Sequence, residues 1–146
     1  MTATKFEPRI SLITLGVSDL RKSRRFYEEG LGFEASSISS DDIVFLKTNG
    51  ALLALFPTDH LAKDATVPPE GSGFRKFTIS HNVREKSQVE EVLQIAQAAG
   101  AQIIKPAQDV FWGGYSGYFS DPDGHLWEIC WNPYFELDEK GEIELP

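Results

Sequence analysis

Gly117-Tyr-Phe-Ser-Asp-Pro-Asp-Gly-His-Leu-Trp-Glu-Ile-Cys-Trp-Asn-Pro133 is the stretch on which the reading of the fold turns. Two strand-like segments, Tyr115 to Ser120 and His125 to Trp131, flank Asp121-Pro-Asp-Gly124, whose residue types suit a tight reversal. The same arrangement occurs earlier, where Ile43 to Lys47 and Ala51 to Phe56 flank Asn49-Gly50. A two-residue hairpin turn there calls for positive φ at both central positions.

Working outward, each hairpin is preceded by the same elements. In the first half, the apolar stretch Ile10 to Leu15 leads through Val17 to Asp19, a residue suited to cap a helix from about Leu20 to Glu29. Leu20, Phe26, Tyr27 and Leu31 give that helix an apolar side, Arg21 to Arg25 a solvated basic one, and Gly30 and Gly32 end it before a strand Phe33 to Ser37. In the second half, strand Lys76 to Val83 leads to a helix Ser87 to Ala99, with Val89, Val92, Leu93 and Ala96 on one face and a Ser87/Glu90 capping box. Gly100 and strand Gln102 to Ala107 follow. Val17 lies 66 residues before Val83, Gly32 lies 68 before Gly100, and Asn49 lies 74 before Asp123. The chain is a β-α-β-β-β unit written twice, an α+β fold of two βαβββ modules in one domain. Module one spans about 9–56 and module two about 74–133; 57–73, rich in Pro, Gly and polar residues, reads as a linker, and 134–146 as an acidic tail. Each module can cover only one sheet face with its helix, so the other faces should line a shared interior suited to a ligand.

Composition narrows the function. At 146 residues and 16.3 kDa the chain is long enough to bury roughly two-thirds of its unfolded surface. Its single Cys130 permits no internal disulfide and no thiolate cluster for zinc, and it reads as a small core residue. A net charge of -8 repels phosphate backbones, so nucleic acid is not an expected partner; half of that charge lies in the tail. No apolar run approaches a membrane span and no export signal is visible, so the expected location is the cytoplasm.

"ISLITLGVSDLRKSRRFYEEGLGF" and "GYFSDPDGHLWEICWNP" resemble the first and last segments of the vicinal oxygen chelate superfamily, which includes glyoxalase I, extradiol dioxygenases and bleomycin-resistance proteins. The resemblance runs from about Ile10 to Pro133 and implies a homodimer and a small organic ligand. Metal enzymes of that superfamily use His or Glu at four equivalent positions. Carried across one at a time, these fall on Leu12, Ala54, Thr78 (or Lys76 in a register shifted by two) and Glu128. One carboxylate cannot hold a catalytic transition metal, so no metal or other cofactor is expected. A displaced divalent site using Glu128 and His81 is the rival reading; His60 and His125 read as exposed polar residues.

In Leu126-Trp-Glu-Ile-Cys130, alternation sets Glu128 opposite Trp127 and Ile129; if the tryptophan face packs on the helix, Glu128 enters the interior. There it would act as a proton-transfer base or bind cationic or hydroxyl groups, unless it is simply hydrogen-bonded to Thr14, Thr78 or Ser80. Phe111-Trp-Gly-Gly-Tyr-Ser-Gly-Tyr-Phe119 packs five aromatics and three glycines into nine residues, and Trp112 and Tyr115 beside the glycine pair would wall a ligand. Tyr118 and Phe119 read as core, and Asp121 and Asp123 as turn residues. The expected lining is Leu12, Thr14, Ala54, Phe56, Thr78, Ser80, Trp112, Tyr115 and Glu128. A metal-free small-molecule binder is the first functional expectation; a lyase or isomerase of glyoxalase-like type, with Glu128 moving the proton, is the second.

Overall fold

Two four-stranded mixed sheets carry the repeat in the computed structural model, which describes residues 5–145. In module one, β1 (Leu12–Val17) is followed by α1 (Leu20–Arg25), which continues as a π-helical turn Phe26–Gly30, then β2 (Glu34–Ala35), β3 (Val44–Lys47) and β4 (Leu52–Pro57). In module two, β5 (Ile79–Asn82), α3 (Gln88–Ala98), β6 (Gln102–Asp109), β7 (Tyr115–Ser120) and β8 (Leu126–Trp131) repeat the order. The strand orders are equivalent, β1-β4-β3-β2 and β5-β8-β7-β6, with parallel pairing only between the first and last strands of each module.

Local chemistry explains most boundaries. Asp19 caps α1, its carboxylate accepting from the Lys22 N–H at 3.1 Å. The expected capping box at Ser87 does not form. Ser87 has helical backbone angles and makes no side-chain cap bond; Gln88 Oε1 instead accepts from the N–H groups of Arg84 and Glu85. β5 begins at Ile79 rather than Lys76, because Lys76 has a φ of 68° and breaks the extended backbone. The first hairpin turn differs from expectation too, since Gly50 has positive φ and Asn49 does not.

The segment expected as a plain linker contains a helix, α2 (Thr58–Ala65), closed by Thr66 in the left-handed conformation. A side chain at Gly16 would stand 3.2 Å from Thr58 Oγ1 and 3.6 Å from Leu61, so α2 lies across the β1 face that carries Leu12 and Thr14. The acidic tail also has structure. β9 (Glu136–Leu137) and β10 (Ile143–Glu144) form a hairpin; the Arg84 guanidinium donates to the carbonyls of Leu137 and Asp138, and the Asn49 amide donates to the carbonyl of Lys140.

One core runs through both modules, from Leu15, Val17 and Leu55 to Val89, Leu93 and Ile129. Its densest part is aromatic: Phe26 and Tyr27 of module one meet Phe119 and Trp127 of module two. α1 and α3 approach closely at Gly30, where a Cβ would lie 2.4 Å from that of Ala99. The Trp127 face of the second sheet therefore packs on the helices, which leaves the Glu128 face on the other side.

Candidate functional site

Strand register places the site. Thr14 pairs with Ala54 in the first sheet and Ser80 pairs with Glu128 in the second, so the repeat puts equivalent rows on the faces turned away from α1 and α3. On the first sheet this row gathers Leu12, Thr14, Ala54 and Phe56, joined by Phe45 across from Ala54. Ala54 is fully buried, Thr14 and Phe56 are half-buried, and Leu12 is exposed; α2 covers one end, with the His60 ring 5.8 Å from that of Phe56.

On the second sheet the row is polar. Ser80 Oγ donates to Glu128 Oε1 at 3.0 Å and the Tyr118 hydroxyl donates to Oε2 at 3.2 Å. Tyr118 sits directly across from Glu128 in the β7–β8 ladder. Burial, reinforced by the Glu128 charge, raises its phenol above the usual value, so near neutral pH it is a donor. Cys130 lies one step along the same face. Burial and the Glu128 charge push its thiol up to about 11, so it is a protonated packing group rather than a nucleophile.

Two expected wall residues are elsewhere. Tyr115 pairs with Trp131 and Asp109 and falls on the helix side, where its hydroxyl donates to Glu90 and the Lys86 ammonium stands 4.9 Å from its ring. That hydrogen bond, above all, raises its phenol. Alternation decides the matter, since Tyr115, Gly117 and Phe119 share one face and Ser116, Tyr118 and Ser120 the other. Trp112 folds back over its own turn, its indole occupying the space where a side chain at Gly114 would be. Thr78 is exposed and precedes β5.

The histidines are dispersed. His81 pairs with Ile129 on the helix side of the sheet, away from Glu128; the residue is exposed at the sheet edge, and partial desolvation of its ring lowers its affinity for a proton. His125, expected to be an exposed polar residue, is half-buried, and its Nε2 meets the Gly16 carbonyl at 2.7 Å, a tie between modules. The donor set therefore does not fit a transition metal. Among the described residues no group of three His, Cys, Asp or Glu side chains is placed to share an ion.

Asp121 is more than a turn residue. It is buried, accepts from the N–H groups of Asp123 and His125 through Oδ1, and through Oδ2 accepts from the Tyr27 hydroxyl at 2.6 Å. The Trp127 indole N–H donates to the same hydroxyl at 3.1 Å, and Asp123 accepts from the Ser18 N–H. Burial, helped by the Asp121 charge, holds the Tyr27 phenol far above its ordinary value.

This repeat, with its helix-free face bearing one carboxylate, defines a class. The chain belongs to the Glyoxalase/Bleomycin resistance protein/Dioxygenase superfamily, whose family model matches residues 9–129. A glyoxalase-related enzyme from Fulvimarina pelagi is similar to it at 35% identity and a TM-score of 0.87, covering 95% of this chain and 99% of that one. A glyoxalase/bleomycin resistance protein/dioxygenase family enzyme from Burkholderia phytofirmans shares the fold at 24% identity and a TM-score of 0.75, over 83% of this chain and 96% of its own. So does a lactoylglutathione lyase from Agrobacterium tumefaciens, at 23% identity and a TM-score of 0.66, over 86% and 95%. Among curated proteins, none matches the chain. No helix among the described residues is long and apolar enough to cross a membrane.

Proposed function

We propose that this protein is a small-molecule-binding member of the superfamily that uses Glu128 as its polar anchor and works without a catalytic metal. The observation that carries the reading is the Glu128 carboxylate on the helix-free face, held by Ser80 and Tyr118 and only half-buried. Both of its partners donate, so a lone pair on each oxygen remains free to accept from a ligand's hydroxyl or cationic nitrogen. On the equivalent face of the first sheet the accessible Leu12, Thr14 and Phe56 would meet the rest of the molecule, with the fully buried Ala54 packed behind them. The ligand is then an apolar small molecule with one hydroxyl or cationic donor.

A glyoxalase-like lyase or isomerase is the second reading, favoured by Tyr118. A carboxylate next to a protonated phenol pairs a base with a donor that would stabilise a developing oxyanion once its hydroxyl turns from Glu128 to the substrate. Proton transfer beside a carbonyl is the chemistry this pair would support. We also propose a homodimer, since Ile10, Leu12, Phe74 and Phe77 are exposed apolar residues before or at the start of the edge strands β1 and β5 and a second copy would cover them. The module boundaries 9–56 and 74–133, with a cytoplasmic location, complete the proposal.

The test is Glu128→Gln, assayed by tryptophan fluorescence against a panel of aromatic amines, aromatic alcohols and α-ketoaldehyde hemithioacetals. A binder of hydroxylated ligands keeps its affinity within about tenfold, because the amide oxygen still accepts, and a binder of cations loses more than that. An enzyme keeps binding and loses turnover by about a hundredfold or more. Ligand binding that is unchanged in both Glu128→Gln and Glu128→Leu overturns the assignment of this face.

A further inference from the structure

The internal repeat creates two equivalent junctions between the modules, and only one of them is filled. With the helix offset of 68 and the hairpin offset of 74, Ile95 occupies the place of Tyr27, and Lys47 the place of Asp121. At the first junction the Tyr27 hydroxyl, the Asp121 carboxylate and the Trp127 indole interlock within the core. At the second, Ile95 is 52% exposed and Lys47 turns to Glu34, with its ammonium 3.0 Å from the carboxylate. A cavity of about 490 Å³ remains there, walled by Phe33, Val92, Ile95, Trp127 and Ile129, with His81 at one end and the Glu34–Lys47 pair among its lining. His81, Val92 and Ile95 also border a groove of about 720 Å³ roofed by the tail hairpin, so the cavity opens along β5.

We infer that the open junction is a second ligand site, separate from the Glu128 face, for a small uncharged molecule with a planar apolar body and one hydrogen-bond donor directed at His81. Its volume lies within the usual range for small-ligand pockets, and its walls are apolar as such pockets require. A charged body would lose its hydration against Phe33, Trp127 and Ile129 without a counter-charge, because Glu34 and Lys47 already neutralise each other. His81 is the polar group that fixes orientation, and its neutral ring offers an acceptor nitrogen. The two sites lie on opposite faces of the second sheet, His81 and Ile129 on the helix side and Ser80 and Glu128 on the other, and come together at the edge strand β5, where Ser80 also borders the adjoining groove.

N-phenyl-1-naphthylamine, an uncharged planar molecule with a single N–H donor, is the probe. Titrated into the full chain, it is expected to show saturable fluorescence enhancement that weakens at least tenfold in Ile95→Trp, which fills the cavity, and severalfold in His81→Leu. Circular dichroism and thermal melting check that each variant folds. Methyl and ring NMR signals of the unaltered protein give a readout that needs no variant, with shifts expected at Val92, Ile95 and His81. Absence of saturable binding, shifts confined to the residues around Glu128, or a loss of probe binding in Glu128→Gln equal to that in Ile95→Trp would each overturn the proposal.

Discussion

The two module junctions have the same backbone design and opposite contents. One is closed by a tyrosine, an aspartate and a tryptophan that share hydrogen bonds inside the core; the other has isoleucine and lysine at the first two places and keeps a cavity. The difference teaches that stability and binding have been divided between symmetry-related places, so side chains at one tolerate change that the other does not.

The sharpest test of that division compares Tyr27→Ala with Ile95→Ala. Truncating Tyr27, which is fully buried, is expected to cost about 3–5 kcal/mol. The same truncation at the half-exposed Ile95 should cost under about 1 kcal/mol. Urea unfolding measures both, and similar losses would mean that the junctions share the load.

Removing only the hydroxyl sharpens the comparison. Tyr27→Phe leaves Asp121 Oδ2 and the Trp127 N–H without a partner, at an expected cost of about 1–3 kcal/mol at neutral pH. The phenol's affinity for its proton is raised in the folded chain. Its stabilisation is therefore fully present below the unfolded value of about 10 and falls as pH rises beyond it, because the unfolded chain releases the proton first. The stability gap between the native protein and Tyr27→Phe should thus be constant below about pH 9 and narrow above about pH 10. A gap that widens in alkali would contradict the buried neutral phenol.

At the open junction the tail hairpin ties the modules together, meeting Arg84 of one and Asn49 of the other. Arg84→Met removes both guanidinium bonds to the carbonyls of Leu137 and Asp138. The expected result is local: amide exchange at Asp138, whose N–H donates to the Glu142 carbonyl across the hairpin, rises about tenfold while the global melting temperature changes little. A large fall in the melting temperature would show that the hairpin closes this junction as firmly as Tyr27 closes the other.

What could be read from sequence was what repeats. Offsets between equivalent glycines, valines and turns disclosed both modules, and alternation around Glu128 put it opposite Trp127, as the register has it. What escaped was what does not repeat. Tyr27 and Asp121 are 94 residues apart and neither has its counterpart in the other module, so no pattern linked them. α2 has only Leu61 and Ala62 as apolar residues in its middle, too few for a period, and it is fixed by packing over Gly16. Tyr118 looked like core because aromatics surround it. Its role was nevertheless accessible: stepping by twos along β7 sets Tyr118 with Ser116 and Ser120, and Tyr115 with Phe119.

The smallest effect compares the two helix starts, which the offset of 68 also makes equivalent. Asp19 accepts from the Lys22 N–H, whereas Ser87 makes no cap bond and Gln88 satisfies the Arg84 and Glu85 N–H groups from inside the helix. Asp19→Ala should therefore cost about 1 kcal/mol. Ser87→Ala should change stability by less than about 0.5 kcal/mol, as at an ordinary surface position. Gln88→Ala then becomes the second module's counterpart of Asp19→Ala, since it leaves two N–H groups to solvent. If Ser87→Ala instead costs as much as Asp19→Ala, the serine caps α3 in solution and the two modules start their helices alike.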